Sequence, residues 1–253
     1  MGVGSSHARL SGPMSTDFGY CLGAYWMERH ESAGSWAARL LKCLSDIEPM
    51  SESFSGWRSP AASRAEAERM PVIPLHAGAL EWLVRKGTVH DGSHVASGDH
   101  GAAYNISLWN GGSGPDVAGI AISCGQFGST SGVPNSFVMH LPEGDSRAAL
   151  LYQPARLLSL LSAVASAWEP DWAVLWSNQL DKRLLSKDLR RPGQGWLTYI
   201  ASTRPLLVPV PRGCVVHSVE GRGTIIGLGP DILIPVDAAA IVARELVEAL
   251  DAS

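Results

Sequence analysis

Cysteine is scarce in this 253-residue chain, and the four present lie far apart, at Cys21, Cys43, Cys124 and Cys214. No C-x-x-C pair occurs, so the sequence contains no zinc knuckle and no dithiol redox motif. Free buried thiols in a reducing compartment are the reading this spacing supports. Lysine is equally sparse, at Lys42, Lys86, Lys182 and Lys187. Two positions before them stand Leu40, Val84, Leu180 and Leu185, so the (D/E)-x-K element that would hold metal beside a lysine in a restriction-endonuclease-type nuclease is missing. There is also no G-x-S-x-G elbow, no P-loop and no H-E-x-x-H pair. Long apolar runs are missing too. Without 18 consecutive apolar residues no membrane span is expected, and the N-terminus has no apolar h-region that would make it a secretory signal. Gly2 and Ser6 fit the M-G-x-x-x-S pattern for myristoylation, but no polybasic second signal follows, and the match reads as chance. The expectation is a soluble, cytoplasmic protein.

Charge of one sign is lacking as well. Twenty basic residues face 24 acidic ones, a net of −4, and only 17% of the chain is charged. A nucleic-acid binder would show a basic stripe, so direct nucleic-acid binding is not expected. With 45% hydrophobic residues the chain can bury a substantial core, in one large domain or two small ones.

Tryptophan is abundant, with nine residues against five Tyr and four Phe. Three of them fall in AWEPDWAVLW, residues 167–176. Pro170 cannot sit inside a helix and biases Glu169 away from helical geometry, so Trp168 closes one element and Trp172 opens the next. In a strand Trp172, Val174 and Trp176 share a face. The expectation is that Trp168, Trp172 and Trp176 hold a long helix onto a sheet, as Trp109 and Trp196 do from their strands. Trp57, in a polar irregular stretch, reads instead as an exposed anchor.

The remaining pattern is strands interrupted by helices. FGYCLGAYW (18–26) reads as a strand. Trp36, Leu40, Leu44 and Ile47 recur at helical spacing over 31–48, behind a Ser32 cap. A shorter helix over 75–87 is expected to turn Leu75, Ala79, Trp82 and Leu83 inward. Strands follow at 104–109, 117–124 and 135–141. Pro154 then opens a helix through Leu157, Leu161, Val164 and Trp168. Beyond the 172–177 strand come a charged surface helix (178–191), strands at 195–202 and 214–219, a hairpin return and a closing helix at 237–250. Regular β-α-β alternation is lacking. The fold class expected is therefore α+β, a mostly antiparallel sheet packed with several helices, as a single domain over 16–253 behind a disordered lead at 1–15.

Two clusters invite chemistry. His90, Asp91, His94, Asp99 and His100 crowd one glycine-rich segment, where imidazole and carboxylate could hold a zinc-like ion. The spacing matches no helix-borne site, and a solvated loop is the default. A metal-dependent enzyme built on His90–His100 stays open as an alternative. GRGTIIGLG (221–229) has clustered glycines, but β-formers follow them where a dinucleotide fingerprint needs a helix. Cofactors are not expected, and no catalytic residue is assigned.

Several segments taken in order resemble the immunity protein 52 family of bacterial polymorphic-toxin systems. They are GAYWMERHESAGSWAARLLKCL, SLWNGG, AISCGQF, LLSAVASAWEPDWAVLWS, GWLTYIAS and VVHSVEGRGTIIGL. They span roughly residues 18 to 250, whereas HDGSHVASGDH and the N-terminal lead depart from the pattern. The resemblance implies a non-enzymatic α+β protein that binds a cognate toxin encoded nearby, often a restriction-endonuclease-like nuclease delivered by a type VI system. An accessory structural protein of a secretion apparatus is a second alternative. Because a nuclease face is basic, an acidic patch would complement it. The candidates are Glu169, Asp171, Asp181 and Asp188, diluted by Lys182, Lys187, Arg190 and Arg191, with Trp57 as the aromatic anchor.

Overall fold

The computed structural model describes residues 19–27, 29–89, 103–125, 135–143, 149–184, 192–204, 210–231 and 233–251. At its centre runs β1 (Tyr20–Trp26), a strand whose seven residues offer apolar groups to both faces. On one side β1 pairs with β5 (Asn135–His140), then β4 (Gly119–Cys124), β3 (Ala103–Trp109) and the two-residue β2 (Thr88–Val89). On the other it pairs with β6 (Trp172–Ser177), β7 (Leu197–Ala201), β9 (Gly223–Gly227) and β8 (Val215–Val219). Every pairing is antiparallel. The fold is α+β, in one antiparallel sheet.

The period of two sorts side chains between the faces. Leu22, Ala24 and Trp26 of β1 share a face with Phe137 and Met139 of β5 and with Ala173 and Leu175 of β6. That face carries the main core, and α1 (Ala33–Ile47), α3 (Ala77–Lys86) and α4 (Pro154–Trp168) pack there. The α1 stripe buries Trp36, Leu40, Leu44 and Ile47, as its spacing predicts. Ser32 caps it by accepting the Ser35 N–H at 3.1 Å. The short helix α2 (Arg64–Ala67) sits in the irregular stretch before α3. Two helices follow β6 and β9: α5 (Asn178–Leu184) and α6 (Val236–Asp251), which pack on each other. Thr198 of β7 accepts the Gly193 N–H at 3.2 Å, and Gly193 lies against Val247 and Leu250 of α6. This places α6 on the face opposite α4, at the β7 end of the sheet.

Three expectations about tryptophan are corrected. Trp168 does join helix to sheet, stacking on Trp26 at 5.4 Å and on Trp36 at 6.4 Å. Trp172 and Trp176 share a face as expected, but it is the face that α4 does not touch. There they pack with Cys21, Tyr25 and Val174. The register puts Trp109 on that same side, through Gly119, His140 and Cys21. On α3 the inward residues are Leu80, Leu83 and Val84, while Trp82 is exposed with the Lys86 ammonium 5.1 Å from its ring. Trp196 keeps its core role and donates its indole N–H to Ser177 Oγ at 3.1 Å.

Candidate partner-binding site

The α4–β6 junction gathers the charged residues that the sequence singles out. Helix α4 ends at Glu169, a non-glycine residue in the left-handed region at φ 47°. A helix end leaves its last carbonyls without intrahelical partners. Here two arginines take them. Arg29 donates to the carbonyls of Trp168 (2.7 Å) and Glu169, and Arg39 donates to that of Ala167 (3.0 Å). Both guanidiniums also lie over indoles, Arg29 on Trp26 and Arg39 on Trp36. Cations at a helix C-terminus oppose the negative end of its dipole, so the five interactions reinforce one another.

The carboxylates close the network. Arg39 pairs with Glu31 at 2.8 Å and with Glu169 at 3.1 Å, and Arg222 reaches Glu169 from the β8–β9 hairpin at 2.9 Å. Asp171 accepts the Met27 N–H at 3.0 Å and lies 3.9 Å from Arg204. Partial burial raises the Glu169 pKa, but hydrogen bonds from Arg222 and Arg39 outweigh it and hold the carboxyl below its ordinary value. Glu31, Glu169 and Asp171 thus face Arg29, Arg39, Arg204 and Arg222. The expected acidic patch is, at this corner, a cluster of mixed charge.

Next to that corner begins the second face of the sheet. Arg204 stacks on Trp172 at 5.2 Å, and Trp172 stacks on Tyr25 at 5.7 Å. A Cβ at Gly23 would come within 3.0 Å of Tyr25 Oη and of the Trp176 ring, so glycine is what lets both rings lie flat across the strand. At the other end of β1, Cys21 Sγ lies 3.1 Å from His140 Nδ1. Burial pushes the thiol up to about 12 and lowers the histidine, leaving a neutral pair at pH 7.

The profile of the family described as Immunity protein 52 matches residues 18–252. The chain belongs to the immunity protein 52 family. No curated protein sequence matches this family member. Among solved structures its fold is similar to that of the Pseudomonas aeruginosa T6SS protein PA0821, at 14% identity and a TM-score of 0.52, covering 92% of this chain and 73% of that one. At that identity the likeness shows the fold.

The structure brings Glu169 and Asp171 together and leaves Asp181 apart, on α5. Burial pushes Asp181 up to about 6, and its Oδ1 has no hydrogen-bond partner among the described residues. Asp188 and the His90–His100 segment lie outside the described residues. Among those described, no group of three His, Cys, Asp or Glu could hold a metal ion, and no helix is long and apolar enough to cross a membrane. Trp57 is a correction. Its residue is 1% exposed, and its indole N–H donates to the Phe54 carbonyl at 3.0 Å. The polar stretch around it folds as short 3-10 turns that cover the ring. What sequence reading misses in this immunity protein 52 family member are the arginines. Arg29 and Arg39 meet Glu169 across more than a hundred residues, and no local spacing announces such a pair.

Proposed function

We propose that this chain is an immunity protein that binds and neutralises a cognate bacterial toxin encoded beside it, acting in the cytoplasm by non-catalytic occlusion. The observation that carries this reading is the family match, which runs through nearly the whole chain. The fold shared with a type VI secretion system protein supports a type VI setting. The toxin is a restriction-endonuclease-like nuclease, and this chain makes no direct contact with nucleic acid. Glu169 and Asp171 contribute at the rim of the interface, with Asp181 and Asp188 on the charged segment after β6. Because Glu169 and Asp171 are already engaged by arginines, their effect is on encounter and register more than on total affinity.

The test is survival. The C-terminal domain of the toxin encoded beside this chain is induced in cells with and without this protein, and colonies are counted. Rescue together with co-purification of the pair is the expected result. An active toxin that still kills in the presence of well-expressed protein would sink the reading. Stoichiometric metal in the purified protein, with loss on His94→Ala, would turn attention to the His90–His100 alternative.

A further inference from the structure

The sheet has two edges, and they are built differently. β2 closes one side after two residues, the short form with which natural sheets keep an edge from pairing. β8 closes the other with five, Val215–Val219, and none of them is Asp, Glu, Lys, Arg or Pro. In the sheet it pairs with β9 alone. Among the described residues nothing pairs with its outer side, so alternate residues turn backbone N–H and C=O groups outward. Val216 is 50% exposed and Ser218 is exposed, while Val215, His217 and Val219 are half-buried on the opposite face. An uncharged, β-branched edge with unpaired backbone groups is a template for another strand.

The flanks say which strand fits. Arg212 stands before β8 and Glu220 directly after it, both exposed, and neither makes an ion pair or a hydrogen bond among the described residues. They are equally far from Val216 along the chain. An antiparallel pair related by a two-fold axis keeps each side chain on its own face, so a residue must lie on the axis. With Val216 there, it meets Val216 of the second copy, Val215 meets His217, Cys214 meets Ser218, and Arg212 meets Glu220 at both ends. Centring on His217 would instead set Arg212 against Arg222, which Glu169 already holds. Of the registers centred within β8, the one at Val216 alone joins the two free charges. That match is a property of pairing with a copy, and such a contact closes at two chains.

We propose that two copies of this chain pair edge to edge through β8, antiparallel about a two-fold axis at Val216, with Arg212 of each copy against Glu220 of the other. The pairing joins two sheets into one and goes beyond the immunity reading without resting on it. The strip from Arg212 to Glu220 is short for a specific interface and exposed charge pairs contribute little, so the dimer is expected to dissociate on the order of 10 µM. Analytical ultracentrifugation of the purified full chain, from about 1 to about 100 µM, brackets that value. The variants are Val216→Lys, Arg212→Glu and Glu220→Arg. All three positions are exposed, and an unchanged melting temperature checks their folding.

The expected result is a reversible wild-type dimer, weakened at least about tenfold by Val216→Lys, which sets two ammonium groups across the axis, and about tenfold by each charge variant, which opposes like charges at both ends. Mixing decides the register. Arg212→Glu carries acids at both ends of the strip and Glu220→Arg carries bases, so an equimolar mixture should pair within about threefold of the wild type although neither variant pairs with itself. A wild type that stays monomeric throughout the range overturns the proposal. So does a dimer indifferent to Val216→Lys, which would lie on another surface. A dimer lost on Val216→Lys but not recovered in the mixture overturns the register at Val216. If the wild type is monomeric and rescues cells while folded Val216→Lys does not, a strand of the toxin takes the edge in place of a second copy.

Discussion

The two faces of the sheet bury similar side chains in different surroundings. On the helix side Trp26, Trp36 and Trp168 are wholly buried, with ring centroids 5.4–6.4 Å apart and Phe137 against Trp168 at 5.5 Å. On the other side Tyr25 and Trp176 are buried beside Cys21 and Val174, and Trp172, packed against them, is partly open. The first group is enclosed by two helices, so each ring has packing partners on all sides and its removal leaves a void. The second group rests on Gly23 and on its own neighbours, and of its three rings Trp172 keeps contact with solvent. The contrast is between an indole shut in on every side and one at the margin of a buried cluster.

The sharpest way to break the comparison is to truncate one indole from each side. Trp168→Ala removes the ring that touches Trp26, Trp36 and Phe137, and a large-to-small change of that kind in a closed core costs about 3–5 kcal/mol. Trp172→Ala, at a partly open position on the other face, is expected to cost less than about 1.5 kcal/mol, because the site fills with water instead of remaining a void. Urea unfolding of both variants checks the difference. Equal losses would mean that the second face is as enclosed as the first.

Much of this architecture is legible in the sequence, but not which side each indole takes. The helix over α1 and the break at Pro170 follow from local rules, since period and proline chemistry act within a few residues. The shared face of Trp172, Val174 and Trp176 is legible for the same reason. Whether α4 covers that face or the one carrying Ala173 and Leu175 depends on how the chain returns to the sheet, which no local pattern encodes. Trp57 and Trp82 went opposite ways for a related reason. A polar stretch closed over the first, and on α3 the helical stripe ran through Leu80, Leu83 and Val84 rather than through the larger ring. The candidate site was half visible. Glu169 and Asp171 stand out beside the tryptophans, but the arginines that neutralise them come from distant segments.

A smaller effect tests how the second face is built. Gly23→Val would force a branched side chain into the space now used by Tyr25 and Trp176. Overpacking typically costs about 1–3 kcal/mol, and here the two rings that must give way are themselves buried. The variant is expected to lower stability modestly and to move tryptophan fluorescence, since Trp176 must lift off the strand. Unchanged fluorescence would contradict the flat packing described for Trp176.

Asp181 supplies a test by pH, on the charged helix that follows β6. Its folded pKa of about 6 lies above the unfolded value of about 3.9. Between these values the folded state binds more protons than the unfolded state, so stability falls as pH rises through about 4 to 6. Asp181→Asn is expected to flatten that slope and to raise stability at pH 7 by about 1 kcal/mol, a figure reduced for partial solvent screening. Thermal melts from pH 4 to pH 7 measure it, and an unchanged slope would show that Asp181 is well solvated.

The weakest expected effect concerns the arginine-bound corner and has the opposite sign. Arg222 and Arg39 hold the Glu169 carboxyl below its ordinary value, so its contribution is present above the unfolded pKa of about 4.3 and is lost as pH falls through the lower folded value. Half of that side chain is in solvent, which limits the pair energies to a few tenths of a kcal/mol each. Glu169→Gln should therefore leave stability at pH 7 nearly unchanged while removing part of the acid-side loss. Arg39→Ala should cost more than Glu169→Gln, because Arg39 also caps the Ala167 carbonyl and covers Trp36. If the two variants cost the same, the carboxylate pairing is all that Arg39 contributes. A larger loss for Arg39→Ala makes the corner a clamp on the end of α4, the element whose last residue joins the buried indole stack to the strand that carries Trp172 and Trp176.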